Sequence, residues 1–305
     1  MKSSFLILAG ACSYGLLSTF VKNAFASGLH VGDVVGSQAL FGVMILWLLV
    51  AVFVKSAKPS EPRRTLNVSV RQAIKLMAVG TTTGMTSMFY YAALQYISAS
   101  FAIILLFQFT WIGIVFEAVA ERKLPGKAKL YSLVLLVAGI LMASGYVGRG
   151  HGSVSLSWNG LVLGLLSAIT YALFIWFSGR TATQVAPITR SAFMLTGSFL
   201  LIMLVFPPHF LINGALQHSL LAWGLLLALF GTVIPPLCYA SGVPRIGGGL
   251  ATILSAAELP TAVMMSYLAL NESVTAMQWG GVIITIAGIA LPEMIKRGWT
   301  RTENG

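Results

Sequence analysis

The 305-residue chain is 57% hydrophobic and only 9% charged, with a mean hydropathy of +0.87, against roughly 25% charged residues in an average soluble domain. That excludes a soluble two-domain enzyme and describes a polytopic membrane protein, because about 20 apolar residues make one helical crossing. The formal net charge of +11 would suit nucleic acid in a soluble protein; here the Lys and Arg residues fall between apolar runs, which excludes that partner and reads as loop charge that orients a chain in a bilayer.

In chain order the apolar runs predict ten helices, near 4–24, 33–54, 74–96, 98–120, 130–148, 158–179, 190–207, 219–241, 247–270 and 276–295. Runs such as Leu133 to Met142 are apolar on every face, whereas a transmembrane β-strand alternates in polarity over about ten residues. The fold class is therefore all-α. In the first run, Lys2 and Ala9-Gly10-Ala11-Cys12 loosely resemble a cleaved signal or lipoprotein site. The apolar run continues to Val21, so a first spanning helix is the better reading. Cys12 and Cys238 both lie inside apolar runs and imply no disulfide framework.

With the N-terminus placed in the cytoplasm, seventeen of the nineteen Lys and Arg residues fall on the inner side. Only Lys22 and Arg149 fall outside, so the positive-inside rule puts both termini, including a tail at 299–305, in the cytoplasm of an inner (plasma) membrane protein. His30, His151, His209 and His218 then sit in outer loops, and the long loop from Lys55 to about Gln72 is a solvated inner connector that anionic headgroups can attract. Lys22 and Asp33 read as boundary charges. Trp47, Trp158, Trp176, Trp223 and Trp279 read as interfacial belt residues. Gly80-xxx-Gly84 and Gly160-xxx-Gly164 predict close helix packing.

Self-comparison exposes a repeat. The segment YYAALQYISASFAIIL from Tyr90 aligns without gaps on YASGVPRIGGGLATIL from Tyr239, and LLVAGI ending at Ile140 matches ITIAGI ending at Ile289 at the same offset. A weaker match at a different offset sets Tyr14 against Tyr171. Two halves follow, 1–148 and 152–298, each of five helices. Five is odd, so the second half enters the membrane from the opposite side, and inverted halves are a frequent architecture of secondary transporters.

Ten helices, the five-plus-five repeat, Glu258-Leu259-Pro260 in the ninth helix, Asn271-Glu272 at its end and the Ala-Gly-Ile pattern in helices five and ten resemble the EamA family of the drug/metabolite transporter superfamily. The resemblance implies a transporter that works without ATP, with a central cavity among helices one, three, four, six, eight and nine. In the first half Glu121 stands where the second has Glu272, and Phe109-Thr110-Trp111 replaces the proline motif, which predicts a less kinked helix four.

An ionisable side chain at bilayer depth is a functional candidate because it is expensive there. Glu258 is the foremost: it lies about mid-helix, with Ser255 and Thr261 one turn to either side, and Pro260 withholds the N–H that Ala256 would receive, which predicts a free carbonyl. A carboxyl at that depth can exchange a proton unless an opposed cation holds it ionised; the alternative is a protonated carboxyl that only joins helices. Glu117 is expected to snorkel to the inner interface. Tyr14, Thr83, Thr86, Gln108, Trp111, Tyr171 and Thr232 fall at comparable depth and, with Ser255 and Glu258, form the predicted substrate-binding set. Rings there stack on planar solutes or hold cations, and hydroxyls orient them. Gly247-Gly248-Gly249 and Pro235-Pro236 are candidate hinges.

The sequence has no phosphate-loop motif and no H-E-x-x-H, and no His lies at membrane depth, so an ATP-driven pump and an intramembrane hydrolase are disfavoured. No residue demands a metal or organic cofactor. Anionic phosphorylated substrates need central Lys or Arg, which the helix centres lack. The expected partners are the lipid bilayer, a small neutral, zwitterionic or cationic metabolite such as an amino acid, and protons. Export by alternating access is the favoured mode; uptake, drug or quaternary-ammonium efflux, and a membrane scaffold role are the alternatives.

Overall fold

The structure is a computed structural model that describes residues 2–56, 68–93, 96–97, 99–144, 157–211, 220–269 and 273–302. The expectations for Asn271-Glu272, Arg149, His151, His218, most of the 55–72 loop and the end of the tail fall outside those residues. Among the described residues thirteen α-helices follow one another: α1 Lys2–Ala26, α2 Val31–Ser56, α3 Val70–Ala93, α4 Ala99–Leu106, α5 Phe109–Glu121, α6 Lys127–Ala143, α7 Trp158–Ser178, α8 Pro187–Val205, α9 Leu220–Leu227, α10 Ile234–Ile246, α11 Gly248–Ser255, α12 Glu258–Ala269 and α13 Ala276–Thr302. A π-helical stretch, Ala228–Val233, joins α9 to α10.

Three pairs continue one another, α4 with α5, α9 with α10 and α11 with α12, so the thirteen helices make ten consecutive segments of an all-α polytopic membrane protein. Among the described residues, seven stretches are long and apolar enough to cross a bilayer on their own. The three segments that fall short are α3, whose first turns carry Arg71, Gln72 and Lys75, and the shorter apolar lengths of α6 and of α13 before Pro292.

The repeat is visible in the backbone. Adding 149 to the first residue of α4, α5 and α6 gives the first residue of α11, α12 and α13. Packing follows the same symmetry. Segment three lies on six as eight lies on one, four lies on six as nine lies on one, and three lies on seven as eight lies on two, while four meets nine and five meets ten across the pseudo-two-fold.

Segments four and nine are both interrupted, by the same hydrogen bonds. Gln108, Thr110 and Ile112 donate to the carbonyls of Leu105, Phe107 and Gln108, and Ala257, Leu259 and Thr261 donate to Leu254, Ala256 and Ala257, all at 3.1–3.3 Å. The expectation that helix four is less kinked is therefore corrected: the break is a tight i→i+3 turn that needs no proline. The Ala256 carbonyl is likewise not free, because Leu259 donates to it at 3.1 Å. Pro260 sits in the first turn of α12, where a missing N–H removes a donor that would have had no helical partner.

Close crossings are made at glycine. A Cβ on Gly80 would collide with the Met194 carbonyl and one on Gly197 with the Met77 carbonyl, so α3 and α8 meet almost backbone to backbone. Gly15 lies against the Glu258 carbonyl and Thr261 and brings α1 onto the start of α12. Two helix starts carry reciprocal capping boxes: Ser69 with Gln72 at α3 and Thr275 with Gln278 at α13.

Three charged or aromatic residues depart from the sequence reading at the end of the molecule where the chain begins. Arg190 is not a loop charge but is 1% exposed in the first turn of α8. Its guanidinium donates to the Ser178 carbonyl, at the end of α7, and at 2.8 Å to the Ala240 carbonyl. Ala240 lies four residues before Pro244, which has no N–H to return. Glu117 does not snorkel: it is buried, ion-paired to Lys129 and turned towards Gly247 and Gly249 at the start of α11. Trp176 is not a belt residue either, being buried against Gly248 with the Arg180 guanidinium 3.5 Å from its ring centre.

Candidate functional site

A cavity of about 340 Å³ occupies the middle of the bundle and is lined by residues from eight of the ten segments, all but five and ten. The lining adds segments two and seven to the six that the family resemblance implied. From Tyr14 and Glu258 at mid-bundle it runs along Leu17 and Val21 to Phe25 in the last turn of α1, so it extends away from the end where the chain begins.

Six residues of the sequence-derived set line it: Tyr14, Thr83, Thr86, Tyr171, Thr232 and Glu258. Gln108, Trp111 and Ser255 do not. The turn between α4 and α5 directs Phe107 into the cavity wall and Trp111 outward, where it is 40% exposed. There Trp111 Nε1 donates to Gln108 Oε1 at 2.8 Å, and Gln108 Nε2 donates to the Ile104 carbonyl at 2.9 Å, so the two polar groups satisfy each other and their own helix. Ser255 is fully buried behind Tyr239, accepting from its hydroxyl at 2.9 Å and donating to the Ala251 carbonyl at 2.7 Å.

The sequence reading missed Gln38, Tyr90 and Ser198, which line the cavity, and Tyr239, which closes it. The signal for two of them was present, because Tyr90 and Tyr239 are identical across the repeat.

Below the cavity lies an aromatic floor. The Tyr171 and Tyr239 hydroxyls are 3.2 Å apart. Tyr14 packs edge-on to Tyr171 at 5.8 Å and stacks on Tyr239 at 6.2 Å; Phe109 meets Tyr171 at 4.6 Å and Phe174 meets Tyr239 at 5.9 Å. These rings and the core around Ile7, Ala11 and Val243 seal the end where the chain begins.

Chemically the walls are apolar with a few acceptors. Thr83 and Thr232 spend their hydroxyl protons on carbonyls of their own helices at 2.8 Å, leaving lone pairs for a solute, whereas the Thr86 hydroxyl lies 2.8 Å from the Thr82 carbonyl and 2.9 Å from the Thr170 hydroxyl and is already engaged with both. Glu258 begins α12, its Oε2 is buried, and no protein group bonds to that atom. Among the described residues no Lys, Arg or His lines the cavity. Among the described residues no cluster of metal-ligating side chains occurs.

The arrangement of two inverted halves around a central cavity defines the class: a membrane transporter built from helix repeats. The EamA-like transporter family matches residues 1–145 and 158–292, and the chain belongs to that family. Similar proteins include the uncharacterized transporter YcbK of Bacillus subtilis, 24% identical over 93% of this chain and 91% of that one, and the uncharacterized inner membrane transporter YicL of Salmonella typhimurium, 26% identical over 66% of each. The uncharacterized transporter sll1319 of Synechocystis is 28% identical over 67% of this chain and 63% of that protein. A solved crystal structure superimposes with a TM-score of 0.78 at 15% identity, covering 98% of both chains, and shows the same fold.

Proposed function

We propose that the chain is a secondary carrier that exports small neutral, zwitterionic or cationic metabolites such as amino acids across the inner membrane by alternating access. Both termini lie in the cytoplasm in this reading, so the cavity faces outward. The observation that carries it is a central cavity shared by both inverted halves, with one carboxyl and no basic side chain among the described residues of its wall. A phosphorylated or dicarboxylate solute would lose its hydration there without a compensating cation, whereas an ammonium group gains Glu258 and the threonine lone pairs. The aromatic and aliphatic walls suit an apolar substituent. Tyr14, Thr83, Thr86, Tyr90, Tyr171, Thr232 and Glu258 form the solute site in this reading; Ser255 supports Tyr239 instead of touching solute, and Gln108 and Trp111 serve the break in segment four. Protons are the proposed coupling ion, through Glu258.

The test is counterflow in proteoliposomes loaded in turn with single amino acids, amines and organic anions. Exchange of an amino acid or amine and not of a sugar phosphate is expected. Exchange of the anions alone overturns the substrate class, and no exchange of any solute favours a scaffold role.

A further inference from the structure

The two halves share one backbone plan but not the same side chains at the floor of the cavity. In a carrier of inverted repeats the other state is reached when the halves exchange their packing. Each contact that seals the present closed end then has a counterpart at the opposite end, made by the repeat partners. The offset of 149 pairs Tyr90 with Tyr239, Leu106 with Ser255 and Phe109 with Glu258, and the match of helices one and six pairs Tyr14 with Tyr171.

The present floor is chemically complete. Tyr239 bonds Tyr171 and Ser255, and Phe109 covers Tyr171 at a ring distance of 4.6 Å. In the exchanged floor Tyr90 meets Tyr14, no serine hydroxyl is available because Leu106 takes that place, and the position of Phe109 against the tyrosine is filled by Glu258. Tyr90 and Glu258 already line the same cavity, and Gly15 already holds the start of α12 against α1. The second floor is therefore acidic where the first is aromatic.

We propose that closure over the cavity packs Glu258 between Tyr14 and Tyr90, so that the carrier closes on this side only when Glu258 holds a proton or the ammonium group of a solute. This rests on the carrier reading above and adds to it the load that permits turnover. A carboxylate sealed among rings with no counter-charge is expensive, whereas a neutral carboxyl or an ammonium-carboxylate pair can accept the tyrosine hydroxyls. The titratable groups facing Glu258 are the hydroxyls of Tyr14, Tyr90 and Tyr171, with Tyr239 behind them. Of the helices packed on α12, α1 carries Lys2 in its first turn and Lys22 two turns beyond Tyr14, α6 carries its ionisable residues in its first turns, at Lys127, Lys129 and Tyr131, and α13 carries none between Ala276 and Pro292. Among the described lining residues no Lys, Arg or His stands ready to take the place of the load.

The experiment measures maleimide labelling of two reporter cysteines at constant pH in a Cys12→Ser, Cys238→Ser background. Val21→Cys reports the open cavity and Val243→Cys, buried at 1% exposure, reports the closed end. Benzylammonium is expected to slow Val21→Cys at least fivefold and to speed Val243→Cys, with benzoate inert. Glu258→Gln, which mimics the protonated acid, is expected to show the slow Val21→Cys rate with no solute present. Equal action of benzylammonium and benzoate, or a Glu258→Gln protein that labels as its parent does, overturns the proposal; the solute arms need no change at Glu258 and stand if that variant fails to fold. A labelling switch without counterflow overturns the carrier reading and leaves the gate, whereas counterflow without the switch overturns the gate alone.

Discussion

Arg190 donates to the Ala240 carbonyl at 2.8 Å, the acceptor that Pro244 leaves without its helical donor. The same guanidinium reaches the Ser178 carbonyl, so one side chain of α8 ties the end of α7 to α10. Replacing it with Met removes two charge-assisted bonds and leaves buried carbonyls unmatched, a loss of about 2–3 kcal/mol. The Arg190→Met protein is expected to melt about 5 °C or more below its parent in detergent. Arg190→Lys recovers less than half of the difference, since one ammonium lacks the planar fork that serves two carbonyls at once. An unchanged melting temperature would refute this role.

The crossing of α3 with α8 gives a contrast within one motif. Gly80→Ala drives a methyl into the Met194 carbonyl, which cannot move without its helix. Gly84→Ala meets the Ser198 hydroxyl at 3.0 Å, which can rotate away, and the Ser198 carbonyl at 3.2 Å, which a shift of a few tenths of an ångström relieves. The first variant is expected to lower the yield of monodisperse protein severalfold on size-exclusion chromatography, and the second to lower it much less.

Capping is testable apart from packing. Ser69→Ala and Thr275→Ala each break a reciprocal pair at a helix start and are expected to cost about 1 kcal/mol. Hydrogen exchange should accelerate in the first turn of α3 or α13 and not at the far end of the same helix.

In the aromatic floor, Tyr239→Phe removes the bonds to both Tyr171 and Ser255, and Ser255→Ala removes one of them. Each single change is expected to cost about 1 kcal/mol, and the double variant little more than Tyr239→Phe alone, because the serine's partner is already gone. Chemical denaturation of the four proteins measures the coupling; strict additivity would show that the bond contributes nothing.

Apolar run length and the 149-residue offset made the ten segments and their five-plus-five order legible, because both depend on local composition and on repeat identity. The break in segment four was not legible. It comes from a hydrogen-bond pattern common to both halves, and only the second half advertises it with Pro260. Arg190 was read as loop charge since its partners lie twelve and fifty residues away. Depth along a helix was readable for Tyr14, Thr83 and Glu258, but the facing of Gln108, Trp111 and Ser255 was not, because it depends on how the broken helices rotate against their neighbours.

The claim that transport passes through the central cavity is tested most directly by blocking it. In the Cys12→Ser, Cys238→Ser background, Thr83→Cys places one thiol in the cavity wall. A methanethiosulfonate reagent with a bulky cationic group is expected to abolish counterflow of the transported solute, and excess solute to protect against the block. Full modification of Thr83→Cys with counterflow intact would contradict the account.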